Sequence, residues 1–241
     1  MRYFLIIIIF AVFFLSATAQ DAQPCLCDEE INDVFEPKLS GEIYQPLTSF
    51  VGEEFFNIHY VKGDIVLNNG EIITNKLIRY NGRIDGLLFW APNGQEILLD
   101  NYFIKEFCLK NYNSNPKIFF KKIKVIKEFG SDTMEVFGQV LYQNKLSLYV
   151  FRHYVHDMDV IKYVGNTRGS VSSYSPSPIY YFQIPNHKTI GFKRFKKRDL
   201  YMLFPGKKDT IKKIFKEKHQ HRFRKEEDLI RIAEILNPII N

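Results

Sequence analysis

Imidazole and carboxylate groups crowd at His153-Tyr154-Val155-His156-Asp157-Met158-Asp159. Such groups could hold a divalent metal and serve a metal-dependent hydrolase. The spacing works against it. Side chains alternate along a strand, so His153 and His156 point to opposite faces. They converge with Asp157 only if a turn begins near His156. A polar strand end entering a loop accounts for the same residues. His219 and His221 stand among Lys and Arg, where neighbouring cations disfavour further positive charge, and they read as a solvated linker. Asp85 and Asp100 could approach each other, and paired carboxylates hydrolyse glycosides. Asp85 follows Gly82-Arg83 and Asp100 precedes Asn101, so turn formation explains both. The chain holds no Gly-x-Ser-x-Gly, no His-Glu-x-x-His and no glycine-rich phosphate loop,. No catalytic residue, metal ligand or cofactor-binding residue is assigned, and no cofactor is expected.

The elements that must carry these residues are mostly strands. Asn-Gly occurs at 69–70, 81–82 and 93–94, twelve residues apart each time. Asn-Gly accepts the positive φ angles of a two-residue hairpin turn. β-branched and aromatic residues fill the intervals. The pattern predicts an antiparallel meander with strands over 59–67, 71–80, 84–91, 95–100 and 102–110. Alternation is imperfect, so the sheet should curve or be covered on both faces. Leu87-Leu88-Phe89-Trp90 reads as a strand buried on both sides, with Trp90 as a core ring more readily than a ligand-stacking one. Further strands are expected over 117–126, 133–143 and 145–156, and a last hairpin over 179–184 and 188–192. Asn111–Pro116 reads as a loop, Glu128–Asp132 as a turn, and Asn166–Pro178 as an exposed loop. From Lys193 the period changes. Short helices are predicted over 196–203, 208–218 and 226–236, the last two with apolar residues at i, i+3 and i+4. The fold class is therefore α+β, mainly β. It is an antiparallel meander, as a curved sheet or partial barrel, followed by C-terminal amphipathic helices.

Composition bounds the class. The chain has 241 residues, 46 % of them hydrophobic and 15 % aromatic, so it can build a ring-filled core. Charge is uneven. Gln20–Tyr60 carries nine acidic residues and one basic; Asn186–Asn241 carries 16 Lys plus Arg against seven Asp plus Glu. A basic end can touch an acidic polymer or an envelope component, or simply be solvated. Met1–Gln20 has Arg2, an apolar run from Phe4 to Leu15, and Ala17-Thr18-Ala19. That order describes a signal peptide cleaved after Ala19. The run is too short to span a bilayer, which takes about 20 residues. Cys25 is too far from Ala19 to be a lipid-bearing residue. The mature chain is expected to be soluble, in a periplasm or the medium, with no transmembrane segment and no nucleic acid as partner. Of the three cysteines, Cys25 or Cys27 could pair with Cys108, or Cys108 could be a buried thiol. The expected organisation is a leader over 1–19, an extended acidic arm over 20–58, a sheet domain over 59–192 and basic helices over 193–241 packed on it.

Four stretches carry a resemblance: Gly-Asp-Ile-Val-Leu-x-Asn-Gly at 63–70, Arg-Tyr-Asn at 79–81, Ile-Asp-Gly-Leu-Leu-Phe at 84–89, and Ile-Leu-Leu-Asp at 97–100. Together with the Ala-Thr-Ala-Gln end of the leader, they resemble a group of secreted, uncharacterised proteins of Bacteroidota. The likeness extends loosely into 136–149 and the basic end. It implies an exported β-rich protein and brings no activity or active-site residue. Three functions follow as expectations: a non-catalytic envelope or extracellular binding or structural protein, a carrier of a lipid or other apolar ligand, and a hydrolase built on His153, His156 and Asp157.

Overall fold

A computed structural model of the chain describes residues 39–46, 50–110, 117–126, 132–157, 160–164, 167–184, 189–218 and 225–240. The readings of the leader, of Cys25 and Cys27, of the loop at 111–116, of most of the 128–132 turn, and of Asp159, His219 and His221 lie outside these residues. So does any pairing of Cys108 with Cys25 or Cys27. The described residues all belong to one compact unit, Ile31–Asn241.

The strands are β1 (Gly41–Ile43), β2 (Phe50–Gly52), β3 (Val61–Leu67), β4 (Ile72–Asn81), β5 (Gly86–Trp90), β6 (Glu96–Leu99), β7 (Ile104–Leu109), β8 (Ile118–Ile126), β9 (Thr133–Tyr142), β10 (Ser147–Phe151), β11 (Tyr154–His156), β12 (Val160–Val164), β13 (Thr167–Pro176), β14 (Ile179–Gln183) and β15 (Ile190–Phe192). The helices are α1 (Lys197–Leu203), α2 (Lys208–Glu217) and α3 (Glu226–Leu236). Eleven strands form one antiparallel sheet in the order β1-β6-β5-β4-β3-β7-β8-β9-β10-β14-β15. It does not close, because β1 and β15 end it separately. A smaller sheet of four runs β11-β13-β12, with β2 joining β13 in parallel. The fold is α+β and mainly β, with the helices after the strands, as the patterning predicts. No helix among the described residues is long and apolar enough to cross a membrane.

The Asn-Gly pairs act differently from expectation. At 69–70 and 93–94 the loops hold three residues. Leu67 N–H donates to Glu71 O and Gly70 N–H to Leu67 O; Ala91 and Gly94 repeat the arrangement with Gln95 and Ala91. Only the glycines have positive φ, 88° and 80°, as in hairpins closed by a left-handed glycine. At 81–82 the loop is longer still, since Asn81 pairs with Gly86. Here Asp85 takes the positive φ, 51°, which Asp tolerates better than most residues.

The sheet curls hard. β4 and β9 are four strand spacings apart in the sheet order, about 19 Å if it were flat. Yet the β4–β5 turn touches β9, and the N–H of Tyr154, past the end of β10, reaches Gly82 O at 3.4 Å. The concave side is filled by rings from adjacent strands. Phe107 stacks on Phe120 at 4.7 Å, Tyr80 lies 4.9 Å from Phe120, and Phe137 meets Phe107 edge-on at 5.2 Å. All four are essentially without solvent exposure. Phe56 caps the group against Phe120. At the far end, Leu148 and Phe182 of the sheet pack with Leu200, Phe215, Ile232 and Leu236 of the helices.

Four expectations are corrected. The stretch expected as a loop over Asn166–Pro178 is not one from Thr167 to Pro176. Most of it is β13, which pairs with β12 through Val160–Val164 and with β11 through Tyr154–His156. Its Ser, Thr and Gly residues form ladder bonds that their polarity conceals. The strand expected over 145–156 breaks at Arg152-His153, where the chain passes from one sheet to the other. Trp90 is not a core ring: it stands at a strand end, 41 % exposed, edge-on to Tyr60. The stretch expected as an extended arm also supplies β1, which pairs with β6, and β2.

Candidate functional site

The residues with the most chemistry gather where the β4–β5 turn meets the inner face. The turn forms because Asn81 Oδ1 accepts the N–H groups of Arg83 and Ile84 at 3.0 and 3.4 Å. Gly82 is required by proximity: a Cβ there would stand 1.9 Å from Arg152 O. The turn then delivers Asp85 inward. Its Oδ1 accepts the Tyr80 hydroxyl at 2.6 Å, and its two oxygens accept the Phe137 N–H at 3.2 and 3.3 Å. Asn101 Nδ2 donates to the Asp85 carbonyl at 2.5 Å, and Lys122 Nζ donates to Asn101 O. Lys122 shares strand parity with Phe120, so its stem lies on the inner side, and Nζ sits 5.6 Å from the Phe137 ring.

Burial governs the electrostatics. It raises the Asp85 carboxyl from 3.8 to about 6, against the opposing pull of the Tyr80 hydroxyl, the Phe137 amide and the Lys122 charge. Burial likewise lowers the Lys122 ammonium, while Glu135, Asp85 and Asp100 support its charge. The Tyr80 hydroxyl is driven well above its ordinary value by burial and by Asp85, so it stays a donor. The cleft beside them, about 120 Å³, is lined by Asp85, Asn101, Tyr102, Lys122, Glu135 and Phe137. That volume suits a few waters at most.

A second cluster pins the preceding segment onto the same turn. Glu54, almost wholly buried, accepts from Tyr44 Oη at 3.2 Å, Asn81 Nδ2 at 3.1 Å and Arg83 Nε at 2.9 Å. A third joins sheet to helix: both Arg152 terminal nitrogens bond Glu226, at 2.6 and 2.9 Å, and Tyr180 Oη donates to the same carboxylate at 2.9 Å. The Glu226 carboxyl is held low, because the Arg152 and Tyr180 contacts outweigh the burial that would raise it.

The residues singled out from sequence are engaged with different partners. The His153 ring stacks on Phe151 at 5.1 Å, His156 meets Tyr174 at 5.4 Å, and the Asp157 N–H donates to Ser173 O. Among the described residues no three His, Cys, Asp or Glu side chains gather as a metal site. Asp100 performs turn duty, accepting the Tyr102 N–H at 2.8 Å. Asp85 does more than its turn, because its carboxylate is spent on Tyr80 and Phe137. Cys108 is buried with Sγ 3.4 Å from Asp64 Oδ2. Sequence reasoning missed Glu54, Arg83 and Lys122. Lys122 left a trace: a lysine on the inward parity of an apolar strand needs a carboxylate nearby.

No protein-family model matches the chain, and no curated protein or solved structure matches it either. What the site does is read from its own geometry. Asp85 could accept a proton near neutrality, but its oxygens are already engaged by the Tyr80 hydroxyl and the Phe137 amide. The cluster works as a latch that holds the curled sheet in shape.

Proposed function

We propose that the chain is an exported, non-catalytic β-rich protein that acts by binding or as a structural component, in the cell envelope or outside it. One observation carries the choice against a carrier: the concave side of the sheet is packed with its own rings, Tyr80, Phe107, Phe120 and Phe137. A lipid carrier needs a pocket of about 300 Å³ or more, lined by apolar groups and able to enclose its ligand. The cleft of about 420 Å³ near β1 and β6 is large enough, but Ser40, Glu42, Asp100 and Asn101 share its walls with Ile84, Leu98 and Leu99, so it is not an apolar enclosure. The leader and the resemblance to secreted Bacteroidota proteins support export. His153 and His156 each lie against a different aromatic ring, Phe151 and Tyr174, which favours this reading over the hydrolase.

The test is mass spectrometry of the full chain expressed with its leader in a Gram-negative host and purified gently from the periplasm. The expected species begins at Gln20 and carries no adduct. An unprocessed chain retained in the cytoplasm overturns export; a stoichiometric apolar adduct establishes the carrier instead.

A further inference from the structure

Residues 193–218 hold eleven Lys and Arg against three Asp and Glu, a balance of +8. They form α1, α2 and the segments flanking them, and each helix buries apolar residues while leaving cations exposed. α1 turns Leu200 and Leu203 into the core, and α2 turns Ile211 and Phe215 inward. Opposite them, Arg198 and Met202 share a face of α1 four residues apart, and Lys212 and Lys216 do the same on α2. All four are exposed, Met202 by 57 %. Lys208 Nζ sits 5.6 Å from the ring of Tyr201, so the start of α2 lies close to α1. On α2, Asp209 meets Lys212 at 3.0 Å and Glu217 meets Lys213 at 4.0 Å, both at the surface, where such pairs neutralise little. α3 carries the opposite sign in its first turn, with Glu226, Glu227 and Asp228.

We infer that the α1–α2 face is a docking surface for an anionic lipid bilayer. Two features favour lipid over a soluble polyanion. Nine of the eleven cations are lysines, compact charges on flexible stems that suit a fluid headgroup layer and lack the fixed fork that arginine brings to a defined anion. An exposed thioether, Met202, stands beside Arg198, so the face pairs cations with an apolar group able to enter the headgroup boundary. Each lysine brought to an anionic surface strengthens binding about fivefold, and the gain is screened by salt. The inference rests on the helices alone and stands whether or not the chain is exported.

The test is vesicle co-sedimentation of the full chain with phosphatidylcholine vesicles, with and without roughly one-third phosphatidylglycerol. Binding is expected only to the anionic vesicles and should fall as salt rises. The triple variant K212Q/K213Q/K216Q, whose side chains are all solvent-exposed, should bind at least about tenfold more weakly. Met202→Gln, which leaves the charge unchanged, should weaken vesicle binding several-fold while leaving retention on a sulfated-dextran column unchanged. Equal binding to both vesicle types, anionic binding indifferent to the triple variant, or retention on sulfated dextran without vesicle binding would each overturn the inference.

Discussion

Asp85 and Phe137 are 52 residues apart in the chain, yet the carboxylate of one accepts the backbone N–H of the other at 3.2 Å. The contact ties the β4–β5 turn to β9 across the concave side of the sheet. It also places a carboxyl where burial lifts it to about 6. The folded chain therefore holds that proton more readily than the unfolded chain does. Stability contributed by the protonated form is complete below about pH 4 and is lost as pH rises through 6. The loss is on the order of 3 kcal/mol for this group. Urea midpoints measured between about pH 4 and 7 should fall for the native chain and fall less for Asp85→Asn. Asp85→Ala should cost about 2–4 kcal/mol, because it strands the Tyr80 hydroxyl and the Phe137 amide.

Phe107→Ala should cost about 3–5 kcal/mol, since it removes the ring that touches Tyr80, Phe120 and Phe137 together,. The cavity left is apolar. If the variant folds, benzene should raise its melting temperature and leave that of the native chain unchanged.

Glycine substitutions separate two kinds of turn. Gly94 has positive φ and open space around it, so Gly94→Ala should cost about 1 kcal/mol from backbone conformation alone. Gly82 has a carbonyl oxygen where a Cβ would go, and Gly82→Ala must move backbone. It should cost more than about 2 kcal/mol in chemical denaturation.

Helix docking depends on Arg152 and Glu226. Arg152→Ala leaves a half-buried carboxylate with Tyr180 as its remaining side-chain partner among the described residues, and should cost about 1–3 kcal/mol,. Amide exchange should quicken first in α3, because the ion pair joins that helix to the sheet,.

Much of the architecture was legible in the residues. Turn signals at Asn69-Gly70 and Asn93-Gly94 placed β3 to β6 within a residue or two, and the i, i+3, i+4 spacing of Leu229, Ile232, Ala233 and Leu236 placed α3. β13 was hidden because Ser and Thr pair in a ladder as well as they turn. Trp90 misled because a continuous apolar run gives no sign of where a strand leaves the core. The latch was invisible for a different reason. Asp85, Tyr80, Lys122 and Phe137 meet only through the curl of the sheet, and curvature is a property of packed layers with no local signature. Even so, Lys122 on the inward parity and Asp85 just past a strand end were each readable as demands for a distant partner.

The carboxyl carbon shift of Asp85, followed by NMR across the pH range, tests the latch most directly. The account predicts an apparent pKa of about 6, with the Phe137 amide shifting through the same midpoint. A midpoint near the ordinary aspartate value of about 3.9, with a Phe137 amide indifferent to it, would contradict it.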